Sequence, residues 1–578
     1  MKKTMKKSIV AALALVLLVG VAIVLPLSSA HAVETFAVET ELRQYNPAKS
    51  YGGYFLYAIG DTMTALLDME GNVVHQWTGS IAIPKLLEDG NLLSLELINN
   101  PGGRNRCQLM DWDGNILWSF DPKTDPTPVR TEIVLHHDEG RIWNKKLKAY
   151  TYLIGFNIAT NNAEIWAAGG DPSVNYGNVD RMDGIIEVNQ NKQIVWEWRF
   201  LDHAVQSKNP AWPNYVSDVK LAPGKCDLFW KTNQAEPSQP AGVITDWHHV
   251  NSIDYNEDLD QVVVNAKHFS EFYVIDHGKT FVSTTDWAAN RAAAKGLAGD
   301  FIYRFGNPSA YKQGTAPGFQ NGGDQQMYGS HNIQWIKPYH WARPHAEAGD
   351  KWPDPVGYTA SGIALPGAGN FLIFDNGCYN PTGYRSKILE INPYLNAAVV
   401  NTGAFVNPPD AGYTTVAGGG GVGGRKISKQ VVWSYQSIWA NSFYSQHISS
   451  AQRLPNGNTS ITSGTQGHKF EVTPTGEVVW EYITPTVSGG FLTVRRDEDK
   501  TPFNIYRHYR YGKDFPGLAG KDLTPMGTIT GRIPSVIGSD FKYPAPVTYY
   551  GFGFGAGGAT VGGGGGVGAG TGGGAGGY

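Results

Sequence analysis

The chain has 578 residues, which is enough for one large repeat domain or for several ordinary domains. Its 47 basic and 51 acidic residues nearly balance, which excludes a strongly basic nucleic-acid surface and a polybasic membrane patch. Frequent Gly, Pro and aromatic residues favour many short strands joined by tight turns.

The N-terminus has the pattern of a signal peptide over residues 1–32. Basic residues at positions 2–7 precede an apolar run at 9–27, and Ala30-His31-Ala32 matches an A-x-A cleavage site. We therefore predict an exported protein, periplasmic or extracellular, whose mature chain begins near Val33. The apolar run is long for a signal, so an uncleaved anchor is the alternative interpretation.

One strand-turn-strand phrase recurs along the chain. Each copy has an apolar strand, a turn rich in Asp, Gly and Asn, and a second apolar strand that ends in Trp. Gly and Asn accept the positive φ of a tight turn, so the phrase predicts a β-hairpin. The copies lie at 67–77, 109–118, 186–196 and 470–480, with a partial copy at 431–433.

A second phrase, a turn followed by an apolar strand, alternates with the first. Its copies lie at 87–93, 365–372 and 454–459. Two alternating hairpin types predict the four-stranded antiparallel blades of an all-β propeller. A pair of β-sandwiches uses the same order of strands and turns and is the alternative fold.

Three parts of the chain do not follow the hairpin pattern. Long insertions rich in Pro, Gly, Asn and Gln are expected to shape a pocket, and the best helix candidate is 288–297. We predict a propeller domain at 33–545 and a Gly-rich flexible tail at 546–578. The insertions are at 204–245, 310–330 and 340–360.

Histidines gather in polar segments near the expected strand ends. The segment Asp246-Trp247-His248-His249-Val250-Asn251 precedes a strand that leads to Lys267. Imidazole can attack or carry protons near neutral pH, and a lysine can bind an oxyanion. Equivalent positions of different blades converge on a propeller axis, so histidines distant in sequence can meet there. Taken alone, each of these histidines is more often a structural group. The other histidine segments contain His136 and His137, His331, and His447.

Other sites are not predicted. The Gly-rich stretch 418–424 lacks the Gly-Lys-Ser/Thr of a phosphate loop, and Leu259 replaces the Gly that a calcium loop starting at Asp254 would need. We therefore predict no nucleotide, no cofactor, no metal site and no nucleic-acid partner. The sequence leaves the pairing of its three cysteines, Cys107, Cys226 and Cys378, open.

Several motifs, in the right order, resemble those of bacterial arylsulfate sulfotransferases, which are exported enzymes with a six-bladed propeller. The resemblance runs from about residue 54 to about residue 485. The motifs are the D-W-x-H-x-N-S-I-D-Y stretch at 246–255 and the segments 274–277, 304–308, 330–331, 373–377 and 451–459.

The resemblance implies an enzyme that transfers a sulfuryl group from an aryl sulfate donor to a phenolic acceptor. The reaction would be ping-pong through a sulfohistidine, with no nucleotide sulfate donor. His331 matches the family's nucleophile. His249 and Asn251 match its H-x-N motif, where the histidine would protonate the leaving phenolate or bind a sulfuryl oxygen, and the asparagine would donate a hydrogen bond.

Two further matches complete the expected site. Lys267 stands where the family has an arginine, and a lysine offers a point charge instead of a bidentate fork. His137, or its neighbour His136, matches the remaining site histidine. The stretch before the first blade phrase is too short for the N-terminal β-sandwich of the best-known members, so a homodimer stays open.

Two other functions compete with the transferase. A non-catalytic secreted or cell-surface propeller that binds a partner is the main alternative, because fold does not determine function. A quinone-type dehydrogenase propeller is the second, and it would need a calcium site that the sequence does not offer.

Overall fold

The structure is a computed structural model that describes most of the chain between residues 40 and 532. The signal peptide predicted at 1–32 and the tail predicted at 546–578 lie outside the described residues. The described residues are 40–59, 63–79, 81–96, 106–126, 128–176, 179–230, 246–316, 323–337, 365–378, 380, 384–394, 405, 413–416, 425–437, 442–487, 490–491 and 505–532.

Strands dominate the described residues. In the first half of the chain they are β1 Glu41–Tyr45, β2 Tyr54–Ile59, β3 Met63–Asp68, β4 Val73–Thr78, β5 Ala82–Leu86, β6 Leu92–Glu96, β7 Arg106–Met110, β8 Ile116–Phe120, β9 Ile133–Asn144, β10 Ala149–Thr160, β11 Val179–Val188, β12 Ile194–Arg199, β13 Ala204–Val205, β14 Cys226–Asp227, β15 Val250–Asn256, β16 Gln261–Ala266, β17 Glu271–Asp276 and β18 Tyr303–Phe305. In the second half they are β19 His331–Trp335, β20 Phe371–Asp375, β21 Lys387–Ile391, β22 Tyr413–Val416, β23 Arg425–Ser428, β24 Val431–Tyr435, β25 Ser450–Arg453, β26 Thr459–Ser463, β27 His468–Val472, β28 Val478–Ile483, β29 Thr486–Val487, β30 Gly490–Phe491 and β31 His508–Tyr511.

Helices are few and short in the described part. The α-helices are α1 Asn162–Ala167, α2 His277–Thr280, α3 Trp287–Lys295 and α4 Ile529–Arg532. The 3₁₀ turns are Phe200–His203, Val219–Leu221, Lys267–Phe269, Leu297–Gly299, Pro308–Tyr311, Gly464–Gln466 and Pro516–Leu518. The helix predicted at 288–297 is confirmed as α3, which Asp286 caps by accepting the Ala289 N–H at 3.0 Å.

Six antiparallel sheets form the blades of a six-bladed β-propeller, so the predicted fold class is confirmed and the two-sandwich alternative is excluded. The first strand of each sheet faces the central channel, where β9, β15, β19, β25 and β31 contact one another in turn. From the channel outward the blades are β31-β2-β3-β4, β5-β6-β7-β8, β9-β10-β11-β12, β15-β16-β17-β18, β19-β20-β21-β24 and β25-β26-β27-β28-β1.

The two repeated phrases are the two hairpins of a blade. The first phrase joins the third and fourth strands, as in β3–β4, and the second joins the first and second strands, as in β5–β6. In the β3–β4 turn, Asp68 accepts the Asn72 N–H at 2.8 Å and Gly71 has φ 87°. Lys192 takes the glycine position in the β11–β12 turn, with φ 63°. Local turn chemistry therefore explains why the phrases predicted the hairpins.

The tryptophans that end the first phrase tie neighbouring blades together. Each indole N–H donates to a group of the next blade at 2.9–3.1 Å, so burial of the ring leaves no unpaired donor. The pairs are Trp77 with the Asp111 carbonyl, Trp118 with Gln190, Trp196 with the Thr280 hydroxyl, Trp433 with Pro474 and Trp480 with Met69.

The apolar core lies between the faces of adjacent blades. Leu56 and Leu66 of the first blade pack in one cluster with Leu92 and Met110 of the second. The other clusters of the described residues also join adjacent blades, and these layers hold the channel residues in place.

The ring is closed by both ends of the described chain. β31, near the C-terminal end, is the innermost strand of the first blade and pairs antiparallel with β2. β1 adds a fifth strand to the outer edge of the last blade by pairing with β28. These two pairings tie the ends of the propeller together, so no blade is held by only one neighbour.

The long insertions are described only in part. Of the insertion predicted at 204–245, residues 204–230 form the short parallel pair β13–β14 and turns, and the rest lies outside the described residues. Most of the insertion at 310–330 is described, and all of the one at 340–360 lies outside the description. Within the residues that the structure covers, none of the helices has the length and apolar character needed to cross a membrane.

A buried histidine at the start of α2 bridges two carboxylates. His277 bonds Glu187 through Nε2 at 2.9 Å and Asp260 through Nδ1 at 2.6 Å. Burial lowers the pKa of His277, but the two carboxylates outweigh burial and raise it from 6.5 to about 9. The folded protein therefore keeps a proton that the unfolded chain releases above pH 6.5.

We expect this histidine to make the free energy of unfolding fall as the pH rises from 6.5 to 9. Its stabilisation is complete below pH 6.5 and lost through pH 9, with a limit of roughly 3 kcal/mol. Urea denaturation of the wild type and His277→Gln at both pH values measures this, since other titrating groups cancel in the difference. An equal pH dependence in both proteins would contradict the assignment.

Candidate active site

The inner strands bulge at one end of the channel, and the predicted site residues lie at these bulges. β9 loses its register at His136 and His137, β15 at Asn251, and β19 just after His331. Bulges redirect side chains and are frequent next to active sites. Left-handed backbone recurs here, at Ile83 (φ 52°), His137 (φ 63°), His249 (φ 52°), Asn332 (φ 53°) and Ile448 (φ 54°).

His331 is the first residue of β19 and is buried, with 1% of its surface exposed. Its Nδ1 lies 2.6 Å from Oδ1 of Asn376, whose own amide N–H groups donate to the carbonyls of Ser445 and Ile448. Asn376 must therefore accept, and His331 donates its Nδ1–H. The lone pair of Nε2 accepts the Ile448 N–H at 3.2 Å.

The surroundings of His331 keep its ring neutral. Burial lowers the pKa of His331 well below its ordinary value, and the positive charge of Lys267 acts in the same direction. The hydrogen bond to Asn376 opposes the shift only in part. A neutral ring with a fixed Nδ1–H presents Nε2 as a nucleophilic nitrogen.

Two asparagines hold the residue before His331. Asn251 and Asn265 both donate to the carbonyl of Ser330, at 2.8 and 2.6 Å, and Asn265 also donates to Oδ1 of Asn251 at 2.8 Å. The Ser330 hydroxyl donates back to Asn265 at 2.8 Å. The amide of Asn251 thus fixes the segment that carries His331.

His249 is held by two carboxylates. Its Nδ1 lies 2.6 Å from Oδ2 of Asp246, and its backbone N–H donates to Asp183 at 3.1 Å. Burial lowers the pKa of His249 to about 4, with the charge of Lys267 adding to this effect and Asp246 opposing it. Because Nδ1–H donates to Asp246, the lone pair of the ring lies on Nε2.

His136 and His137 lie beside His249, and we refer to these three residues with His331 as the histidine cluster. The ring centroids of His137 and His249 are 4.7 Å apart, and the Nδ1 atoms of His136 and His137 are in hydrogen-bond contact. Nε2 of the buried His136 lies 3.3 Å from Asp183. Tyr506 packs edge-on or tilted beside two histidines, with its ring centroid 5.9 Å from that of His137 and 6.2 Å from that of His331.

Lys267 begins the 3₁₀ turn after β16 and is partly exposed. Its charge acts on both His331 and His249, where it favours the neutral rings. A cation at this position can attract an anionic substrate to the histidines.

A group of charged side chains, which we call the charged layer, lies next to the site residues. The buried carboxylate of Asp138 accepts from Lys85 at 2.7 Å, from Arg507 at 2.9 Å and from the Ile253 N–H at 2.8 Å. Arg507 also donates to the carbonyl of Asn251 at 2.9 Å. Burial would raise the pKa of Asp138, but the two cations hold it below its ordinary value. Through these contacts the layer connects β5, β9 and β15 with Arg507, which immediately precedes β31.

A cavity of about 300 Å³ lies on the other side of this charged layer. It is lined by the far halves of the inner strands, including Arg141, Tyr255, Lys337 and Tyr509. The site histidines are not part of its lining, so the cavity and the cluster are separate features of one channel.

Asp246, His249 and His268 form a group that could hold a metal ion. Each residue offers a ligand atom, and these atoms lie within 4.8 Å of one another.

The three cysteines are buried, and none of them forms a disulfide. Burial raises the pKa of Cys378 to about 12, so its thiol stays protonated.

The structure therefore brings the predicted residues together at one end of the channel. His331, His249, Asn251, Lys267, His137 and His136 are linked by hydrogen bonds, ring contacts or electrostatic action. Sequence reasoning missed the residues that position them. These are Asp138, Asp183, Asp246, Asn265, Asn376 and Arg507, and only Asn376 and Asp246 lay inside segments that the family motifs marked.

The fold and the site define a β-propeller with a multi-histidine, cation-bearing site at one end of its channel. Residues 157–340 match the family model described as Arylsulfotransferase (ASST). The resemblance that the motifs indicated is confirmed over this segment, which contains His249, Asn251, Lys267 and His331. The match supports a sulfotransferase.

The other comparisons add little. No curated protein matches the chain. A protein of unknown function from Bacteroides caccae has 9% identity and a TM-score of 0.35, covering 79% of this chain and 98% of its own. Hsv2p of Kluyveromyces lactis has 6% identity and a TM-score of 0.28, covering 74% of this chain and 94% of its own. Both likenesses are too weak to carry an argument.

Proposed function

We propose that this protein is an exported arylsulfate sulfotransferase that works through a sulfohistidine at His331. The sulfuryl group would pass from an aryl sulfate to a phenol, without a nucleotide sulfate donor. One observation carries the proposal: His331 is a buried imidazole whose Nδ1–H is donated to Asn376, within the segment that matches the arylsulfotransferase family.

In the first half-reaction, the Nε2 lone pair of His331 attacks the sulfur of the aryl sulfate. An N–S bond forms, the S–O bond to the aryl group breaks, and the phenolate leaves with the electron pair. Before the attack, the Ile448 N–H donates to Nε2. Once the N–S bond has formed, this N–H has lost its acceptor and can donate to a sulfuryl oxygen instead. Oδ1 of Asn376 continues to accept the Nδ1–H of His331 and stabilises the positive charge that develops on the ring.

In the second half-reaction, the oxygen of an acceptor phenol attacks the same sulfur and the N–S bond breaks. Nε2 of His249 takes the phenol proton, while the hydrogen bond to Asp246 stabilises the charged ring. His249 then returns this proton to solvent, since burial favours its neutral ring, and the phenolate released in the first half-reaction takes one up, so protons balance over the cycle.

Lys267 and the His136–His137 pair complete the proposed site. Lys267 attracts the sulfate group as a point charge, without the bidentate fork of an arginine. His137 packs against His249 and limits the orientation of its ring. Export is supported by the signal-peptide pattern at 1–32.

The test is a sulfuryl-transfer assay with a chromogenic aryl sulfate, with and without an added phenol. We expect release of the chromogenic phenol to depend on the acceptor, with one sulfated acceptor formed per donor consumed. Parallel double-reciprocal plots for donor and acceptor would establish the ping-pong order. Folded protein that is inactive with several donors and acceptors would overturn the proposal and favour the binding propeller.

We expect Asn376→Ala to lower kcat on the order of 10²-fold and to leave KM for the donor little changed. The substitution removes the acceptor of the His331 Nδ1–H, so the ring can rotate and change tautomer. Asn370→Ala is the matched control, because Asn370 is also buried in this blade but donates to Glu390. An equal loss of kcat in the control would show that the effect is structural.

A further inference from the structure

The mouth of the channel holds a group of side chains with the composition of a metal site. Asp246, His249 and His268 each offer one ligand atom, and these atoms lie within 4.8 Å of one another. All three residues are partly exposed, so an ion could reach them.

The backbone around this group is cross-connected. The Lys267 N–H donates to the carbonyl of His249 at 3.3 Å, and the His268 N–H donates to the carbonyl of His248 at 3.1 Å. The turn before β15 and the 3₁₀ turn after β16 are therefore joined, although 22 positions separate Asp246 from His268. A joined frame lowers the conformational cost of gathering ligands.

Asp246 orients both imidazoles. His268 donates its Nδ1–H to the backbone carbonyl of Asp246 at 2.6 Å, and Nδ1 of His249 lies 2.6 Å from the Asp246 carboxylate. An ion shared with the Asp246 carboxylate would therefore bind His249 through Nδ1, in place of the proton, whereas His268 carries its lone pair on Nε2. A histidine that binds a metal usually donates its other ring N–H to a carbonyl or carboxylate in this way.

Charges of both signs surround the group. Asp246 and Asp183 both act on His268 as negative charges, and Lys267 acts on both histidines as a positive charge. Two neutral imidazoles and one carboxylate are a donor set typical of Zn²⁺, as in the zinc sites built from two histidines and one carboxylate.

We propose that Asp246, His249 and His268 form a binding site for a divalent transition metal, with Zn²⁺ the best fit. The bound ion replaces the Nδ1 proton of His249, and the neutral ring then carries its proton on Nε2. Where the proposed sulfuryl transfer holds, the metal therefore removes His249 from proton transfer and inhibits turnover reversibly.

Metal binding is tested first without any need for turnover. Calorimetric titration of the metal-free, full-length protein with ZnCl₂ should give one site per chain. Binding of Co²⁺ should give the visible absorption of a cobalt site with imidazole ligands. His268→Gln should weaken Zn²⁺ binding by at least about 10²-fold, because it removes one of three ligands. His75→Gln is the matched control outside the group and should bind like the wild type.

The outcomes separate this proposal from the transferase proposal. Absence of stoichiometric binding, or equal binding by wild type and His268→Gln, would overturn the metal site whether or not the protein transfers sulfuryl groups. If turnover is found, the ratio of rates with and without Zn²⁺ should be low in the wild type, restored by a chelator, and near one in His268→Gln.

Discussion

His331→Asn should reduce kcat/KM for sulfuryl transfer by about 10⁴-fold or more, the size expected when a covalent nucleophile is lost. Asparagine can still donate to Asn376 but has no nitrogen lone pair able to attack sulfur. The wild type, given an aryl sulfate without acceptor, should gain the mass of one SO₃ on the peptide that contains His331. The variant should gain none.

His508→Asn is the matched control for this substitution. His508 is also buried and also bridges two partners, but these are the hydroxyls of Ser460 and Thr462 on β26 of the sixth blade. We expect this control to lose stability and to keep turnover. Turnover by folded His331→Asn would exclude His331 as the nucleophile.

Glu271→Gln should lower the free energy of unfolding by about 3–5 kcal/mol, because it leaves the guanidinium of Arg304 buried without its counter-ion. Both side chains are fully buried, and Nε of Arg304 donates to Glu271 at 3.0 Å. Arg304 also donates to the carbonyls of Pro223 and Lys225 and lies 4.0 Å from the ring centroid of Tyr311. Arg304 therefore joins three other segments of the chain, which contain Glu271, residues 223–225 and Tyr311.

Urea denaturation measures the effect, with Glu477→Gln as the control. Glu477 pairs with Lys49 at 2.8 Å, but both side chains are about half exposed, so its loss should cost less than about 1 kcal/mol. Similar losses in the two variants would contradict the importance of burial.

Arg304 also shows that a family motif does not by itself identify residues of the active site. The segment 304–308 was one of the motifs that resembled the sulfotransferase family, yet its contacts are structural. Gly306 has φ 136°, and a Cβ there would lie 2.2 Å from the carbonyl of Ser270. Asn307 donates to the carbonyl of Phe269 at 3.2 Å. A motif in sequence does not separate residues that touch substrate from residues that hold the frame.

The blade hairpins were predictable because their cause is local. Asp68, Gly71 and Asn72 lie within five positions and close their turn with their own side chains and backbone. The same chemistry recurs in the other turns, so the repeat revealed the blades. Ring closure was not predictable in this way, since β31 pairs with β2 from the other end of the chain with no turn between them.

The residues of the candidate site likewise fall into those that the sequence predicted and those that only the structure identified. The sequence by itself determined the hairpins, the alternation that builds blades, and the family resemblance that marked His331, His249 and Lys267. Only the tertiary structure decided that Asn376 fixes the His331 tautomer and that Ile448, 117 positions away, donates to its Nε2. The physical reason is that such contacts depend on which strands the closed ring brings to the channel, and no local propensity encodes that pairing.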